Sequence, residues 1–305
     1  MHPAFSLVAF TVFSGLGFGM MVWLGIGLGG HSRFFAFLAS GVAVGAVAGG
    51  LLASTRHLLR PDRAKLAFSQ WRTSWLSREA VLAVAALAVF GLYAAVWVAF
   101  GVQIGWLGTA AALLAGATVY ATGMIYRQLK TVPQWATPLT PACFVAFALA
   151  SGELALAALT AFFESDEGRT LGATLFLLVI AWGLKYAWWQ NARKATLESA
   201  GATPEDATGL GDIGLVEQLE APHTGENYLM KEMVFEVGRE RATALRRVAV
   251  GAGFGGALLL VLLSGNIGSL LLVLALASLL VGLMAERWLF FAEAQHAVAA
   301  YYGKR

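Results

Sequence analysis

The sequence predicts an all-α, polytopic membrane protein folded as a bundle of eight transmembrane helices, and three of its features lead there. Hydrophobic residues make up 58% of the 305-residue chain and charged residues only 13%, with a mean hydropathy of +0.69, whereas ordinary soluble domains carry about 25% charge. Apolar runs of roughly 20 residues, the length a bilayer-spanning helix needs, recur from end to end. Charge gathers between them, above all in Arg56–Glu79, RHLLRPDRAKLAFSQWRTSWLSRE, which holds six of the 21 Lys and Arg residues and reads as a loop.

The first span is expected over Pro3–Gly29. Pro3 suits a first helical turn because its missing N–H costs nothing there. Gly15, Gly17, Gly19, Gly25, Gly27 and Gly29 would let neighbouring helices approach closely. The run starts beside Met1 without a basic n-region or small-residue cleavage site, so it is expected to be retained and not removed as a signal peptide. Gly41, Gly45 and Gly49 recur every four residues in the second span, Phe34–Thr55, and read as a helix contact surface. The third span is expected over Ala80–Phe100 and the fourth over Trp106–Tyr126. TVPQWATPLTP follows, and its three prolines demand a structured turn. Spans five to eight fall at Ala142–Phe162, Leu171–Asn191, Val248–Leu263 and Ile267–Phe290, the last two joined by a tight SGN connection.

Residues 192–247 are the only sizeable extramembrane segment expected, so 1–305 reads as a single membrane domain. Its first half is rich in Gly, Ala, Pro and acid, as in a surface loop. Its second half places Leu229, Met233, Val234 and Val237 at helical spacing among charges, the pattern of an interfacial amphipathic helix running into span seven.

With an even number of spans, 18 Lys and Arg fall on one face, Arg33 and Arg169 on the other, and Lys185 inside span six. This asymmetry assigns the basic face and both termini to the cytoplasm. The net charge of +3 is therefore topological information first. Cys143 is the only cysteine, which excludes a disulfide framework, a cysteine-ligated zinc site and an intrinsic iron–sulfur cluster.

Polar groups inside lipid are costly and mark candidate chemistry: Glu153, Lys185, Gln103, Glu286 and Arg287. Lys185 is expected to snorkel to the interface beside Trp182, Trp188 and Trp189, and Glu153 either to bond a neighbouring helix or to move protons. A haem would need two axial ligands at matching depth. His2, His57 and His296 lie on one face and a haem between His57 and His296 is geometrically conceivable, but a satisfied interface histidine is the plainer reading of each, and no intrinsic haem is expected. A quinone site needs an apolar slot, donors for the ring oxygens and a titratable group. His57 can donate and accept near neutral pH, with Arg78, Glu79, Tyr126 and Lys130 on the same face. Trp71, Trp75 and Leu76 fit a segment resting at the membrane interface, so the basic loop is not read as a nucleic-acid site.

HPAFSLVAFTVFSGLGFGM, HLLRPDRAKLAFSQWRTSWLSREA, TVPQWATPLTP, NYLMKEMVFEVGRE and ERWLFFAEAQHAVAAYYG track the chain in order, and together they resemble the membrane anchor subunits of the dimethyl sulfoxide reductase family. The resemblance implies an eight-helix anchor in the bacterial cytoplasmic (inner) membrane, without a cofactor of its own. It would be bound to a molybdopterin catalytic subunit and an iron–sulfur subunit with four 4Fe–4S clusters. Electrons would pass between the nearest cluster and an exchangeable quinone, ubiquinone or menaquinone. The family's loop histidine matches His57, Glu79 falls in the same motif as its catalytic partner, and Tyr126 precedes the next family-like loop as a quinone contact; Arg78 and Lys130, on the same face, complete the candidate quinone contacts. Arg56, Arg60, Arg63, Lys65 and Arg72 would receive the iron–sulfur subunit. Leu59 stands where the family often has Gly, a departure that bears on pocket shape. The cytoplasmic assignment of the basic loops favours the branch serving cytoplasm-facing sulfite dehydrogenases over reductases that run quinol oxidation. A membrane transporter is the alternative class, but no inverted repeat or pair of broken hydrophobic segments supports it.

Overall fold

A bilayer core offers no water to backbone N–H and C=O groups, so each apolar run must close its own hydrogen bonds as a helix. The computed structural model describes residues 4–55, 61–163, 171–217, 219–220 and 242–298. Among these residues, eight helices are long and apolar enough to cross a membrane. They are α1 (Phe5–Gly25), α2 (Arg33–Thr55), α3 (Trp75–Phe100), α4 (Gly105–Arg127), α5 (Leu139–Phe163), α6 (Leu171–Lys194), α7 (Ala242–Gly265) and α8 (Leu270–Ala292). The chain is a multi-pass membrane protein.

Helix α1 is the centre of the bundle and packs against α2, α4, α5 and α8. It can do so because its glycines remove side-chain bulk where backbones meet. A Cβ on Gly19 would lie 1.8 Å from the Ala148 carbonyl oxygen, and one on Gly152 of α5 would lie 2.3 Å from the Gly19 carbonyl carbon. Gly27 and Gly29 do something else. Their φ values of +85° and +110° form the turn that ends α1 at Gly25, short of the expected Gly29.

Helix α2 corrects a second expectation. No described atom outside the local helix backbone lies within 4 Å of a Cβ built on Gly41, Gly45 or Gly49, so among the described residues this stripe is not a contact surface. The helix instead buries Phe35, Ala36, Ala39, Ala43 and Val47, a face that removes more apolar area from its surroundings than glycines can. Arg33 at its start ties it to the end of α3 through Nε, which donates to the Val98 carbonyl at 2.7 Å.

Helix α3 starts at Trp75 and not at Ala80, so Arg78 and Glu79 belong to its first turns and not to the loop. Arg78 fixes this start. Its Nε and Nη2 donate to the Trp71 and Arg72 carbonyls at 3.1 and 2.6 Å, and its guanidinium lies 4.4 Å from the Trp75 ring centroid. A 3-10 segment, Pro61–Phe68, precedes it.

The proline-rich turn after α4 is built as expected and is pinned to the end of α8. Trp135 Nε1 donates to the Phe290 carbonyl at 3.0 Å, and Ala297 N donates to the Thr131 carbonyl at 2.9 Å. Helix α7 begins with Ala242–Val250 and passes through a π-helical segment Gly251–Gly256 into Ala257–Ile267, whose last two residues lie past the apolar span. The wider turns of the π segment free carbonyls, and two side chains take them up: Ser278 Oγ donates to Ala252 at 2.8 Å and Trp182 Nε1 to Gly253 at 3.0 Å. The last residues of the expected interfacial helix, from Ala242, run directly into this span; its earlier part, 228–241, lies outside the described residues. The α7–α8 turn falls at Gly268, with φ +112°, just past the expected SGN.

Candidate functional site

The beginning of α3 and the end of α4 run side by side, which brings Glu79 against Thr122 in the interior. Glu79 is 7% exposed. Thr122 Oγ1 lies 2.5 Å from Glu79 Oε1 and 3.1 Å from the Thr118 carbonyl. A hydroxyl has one proton to donate, so it bonds either the carboxylate or the carbonyl. When it bonds the carbonyl, the contact with Glu79 is made by a proton on the carboxyl. The pair can therefore hold or release a proton at Glu79 Oε1 without moving a backbone atom.

One turn further along α4, Tyr126 is buried in an aromatic cluster, with ring centroids of Trp135, Phe144, Phe290 and Phe291 at 5.3 to 5.5 Å. It lies within electrostatic reach of both Glu79 and Arg287. Next to this cluster, α6 and α8 contribute three buried charges. Lys185 Nζ lies 2.5 Å from Glu286 Oε1, and Arg287 Nε lies 2.6 Å from Glu286 Oε2, with exposures of 1%, 0% and 4% for Lys185, Glu286 and Arg287. Lys185 Nζ sits 3.6 Å from the Trp188 ring centroid, and Arg287 Cζ 4.0 Å from that of Phe144.

Lys185 thus does not snorkel. It lies about 13 Å of helix rise from Lys194 at the end of α6, beyond the reach of its own stem, and a buried ammonium must be paired. Glu153 on α5 makes its hydrogen bond to a neighbouring helix, accepting from Thr174 Oγ1 of α6 at 2.5 Å.

The remaining predicted site residues are dispersed. Lys130, Lys65 and Arg72 are exposed, and Arg72 Cζ lies 5.6 Å from the Trp71 ring centroid. Arg78 is committed to the loop carbonyls described above, and Arg63 falls in the 3-10 segment. Arg56, His57 and Arg60, together with His2, lie outside the described residues. Glu79 and Tyr126 are the two that share the interior.

Beyond the spans, Glu293 pairs with Arg246, and burial raises its carboxyl above the usual range against the opposing pull of that guanidinium. Burial holds the His296 imidazole below its ordinary value, and its Nδ1 accepts from Val298 N at 3.1 Å. An apolar groove of about 450 Å³ runs between α4, α5 and α6, lined by Pro141, Val145, Leu149 and Leu184 with Arg127 and Tyr120. Tyr120 meets Trp75 at the start of α3 edge-on, with centroids 6.1 Å apart.

Sequence reasoning missed Thr122 and the pairing of Lys185 with Glu286. Charge balance carried the signal for the second: a lone Lys in span six and a Glu–Arg pair in span eight cannot stay apart in lipid. Thr122 carried none, since threonines in apolar helices usually bond their own backbone.

The chain matches the family model described as DMSO reductase anchor subunit (DmsC) over residues 1–292. It is 32% identical to a sulfite dehydrogenase subunit of Allochromatium vinosum over 327 aligned residues, covering 99% of each chain. No solved structure matches it. A bundle of eight apolar helices matched over nearly its whole length makes this chain a member of the DMSO reductase anchor subunit family.

Proposed function

We propose that this protein is the quinone-reactive membrane anchor of a heterotrimeric molybdopterin and iron–sulfur oxidoreductase, delivering electrons from sulfite oxidation to membrane quinone. Family membership supports the anchor role, and the end-to-end likeness to a sulfite dehydrogenase subunit supports the sulfite assignment. The observation that carries the quinone reading is the buried Glu79–Thr122 pair, a proton-handling group just inside the end of the bundle that bears the basic loop.

Reducing a quinone adds two electrons and two protons, so a site for it must deliver protons to ring oxygens without admitting bulk water. Glu79 holds a proton at Oε1, and Thr122 keeps that carboxyl in one orientation in either protonation state. His57, assigned through the family's loop motif, hydrogen-bonds the other ring oxygen. The apolar groove beside Tyr120 suits an isoprenoid tail. The iron–sulfur subunit docks over Arg56, Arg60, Arg63, Lys65 and Arg72, whose charge steers an acidic partner surface. Lys130 and Arg78 flank the same end. By the positive-inside rule this end faces the cytoplasm from the inner membrane.

The test is steady-state turnover of the purified complex with sulfite and a soluble quinone analogue. His57→Ala and Glu79→Gln should each lower turnover by about 100-fold or more, the scale of a lost general acid, while the partner subunits still copurify. Normal quinone turnover in both variants refutes the site. A complex that oxidises quinol with dimethyl sulfoxide and ignores sulfite refutes the direction and the substrate. Solute uptake by the chain alone refutes the anchor role.

A further inference from the structure

Between α1, α4, α5 and α8 lies a cavity of about 20 Å³, room for one water molecule. Arg287, Thr122, Thr11, Ser14 and Ser151 supply the polar part of its wall. Arg287 Nη1 is buried and has no hydrogen-bond partner among the described residues. The hydroxyls opposite are differently placed. Thr11, Ser14 and Ser151 donate to the Val8, Phe10 and Phe147 carbonyls of their own helices at 3.0, 2.6 and 2.7 Å. Each hydroxyl has one proton and two lone pairs, so what these side chains have left to offer the cavity is acceptors only. Thr122 spends its proton on Glu79 or Thr118 and is an acceptor too.

The cavity thus has a charged donor on one wall and acceptors on the others. An anion would find one donor and several repelling oxygens. A water molecule accepts from the guanidinium and donates to two of the four hydroxyl oxygens, Thr122 among them.

We propose that this cavity holds an ordered water joining Arg287 Nη1 to Thr122 Oγ1, so that the Lys185–Glu286–Arg287 cluster is linked through Thr122 to the Glu79 carboxyl. Lys185 and Arg287 carry two positive charges against one negative charge on Glu286, leaving the cluster one positive charge in excess. Glu79 is the carboxyl at the other end of the link. When Glu79 gives up its proton, the water turns and the excess charge of the cluster balances the carboxylate. Arg287 is in this sense a positioning residue, acting on Glu79 and not on substrate. The functional half of the inference rests on the reading of Glu79 as the proton-handling group of the quinone site.

The experiment uses the complete purified complex. A cryo-electron microscopy map that resolves other buried waters should show density within about 3 Å of Arg287 Nη1 and Thr122 Oγ1, and Thr122→Val, isosteric but lacking the hydroxyl, should remove or displace it. Thr122→Val should lower quinone turnover about tenfold, the scale of one buried hydrogen bond, and raise the solvent deuterium isotope effect, while Thr122→Ser restores both. In the Glu79→Gln background the Thr122→Val effect should fall below about twofold, because coupled groups are not additive. Absent density in such a map overturns the water link. An equal loss from Thr122→Val with and without Glu79→Gln overturns the coupling. Density present while Glu79→Gln leaves turnover intact upholds the link and refutes the quinone reading instead.

Discussion

Replacing Glu286 by Gln removes the one negative charge from a cluster of three buried ions. Glu286 is 0% exposed and lies 2.5 Å from Lys185 Nζ and 2.6 Å from Arg287 Nε. Without it, two cations roughly 5–6 Å apart face each other, a repulsion of about 3 kcal/mol at an effective dielectric of ~20. Stranding a buried charge by removing its partner costs about 3–5 kcal/mol in measured cases. Lys185→Met is the control. It leaves Glu286 paired with Arg287, keeps apolar volume against Trp188, and removes one desolvated ion, so its cost should stay within about 1–2 kcal/mol. Partners found by the unfolded chain within the membrane will compress both values without reversing their order. The assay is apparent Tm of the purified complex in one detergent at one scan rate, since such unfolding is rarely reversible. Equal losses, or a larger loss for Lys185→Met, would refute the assignment of Glu286 as the keystone of the cluster.

Three further outcomes follow from the packing and the titrating groups. Gly19→Leu forces a side chain against the Ala148 carbonyl, where even a Cβ would sit at 1.8 Å; it should cost more than about 3 kcal/mol and abolish recovery of folded protein from membranes, and a wild-type yield would contradict the α1–α5 crossing. Arg78→Ala should lose its bonds to the Trp71 and Arg72 carbonyls and its stacking on Trp75, about 1–2 kcal/mol locally, read as faster proteolysis between Phe68 and Trp75. Unchanged cleavage there would argue against that anchoring role. Burial lowers the His296 pKa, so the folded chain binds fewer protons than the unfolded one near pH 6.5; stability should fall as pH drops through that value. Glu293, raised by burial, contributes with the opposite sign, since acid relieves its buried charge. His296→Gln should therefore flatten, or invert, a decline in Tm between pH 7.5 and 5.5, and a slope unaffected by the substitution would exclude His296 as its source.

The eight spans were legible because lipid leaves each apolar run one option, a helix, and most ends fell within a few residues of their expected positions. The misplacements have local causes. Trp75 and Arg78 extend α3 into what composition marked as loop, because a cation–π contact and two carbonyl bonds hold a charged turn in helical form. Gly27 and Gly29 looked like packing glycines and are turn glycines, a difference visible only in φ. The stripe at Gly41, Gly45 and Gly49 was read as a contact face, but glycine spacing reports where a backbone can be approached, and not whether anything approaches it. In the candidate site, Glu79 and Tyr126, both named from the sequence, are the two that the fold brings into the interior. Thr122 was not, because whether its hydroxyl turns toward its own helix or a neighbour depends on the rotation of α4 against α3. Lys185 was noticed and misassigned: its depth along α6 excluded snorkelling, but its partner lay about 100 residues away.

The π-helical turn at Gly251–Gly256 sets the rotational phase of α7. Each residue advances an α-helix by about 100°, so the widened turn works as a phase corrector between two differently keyed halves. On one side Arg246 meets Glu293, within the segment Gly253 nests against Gly282, where a Cβ would approach to 2.1 Å, and on the other side Ala257 and Val261 are fully buried. Deleting one glycine from this segment would restore an unbroken α-helix and leave its composition almost untouched. It would also swing Arg246 about a quarter turn away from Glu293. Length at this point is therefore constrained together with residue identity, whereas a surface loop tolerates changes in both.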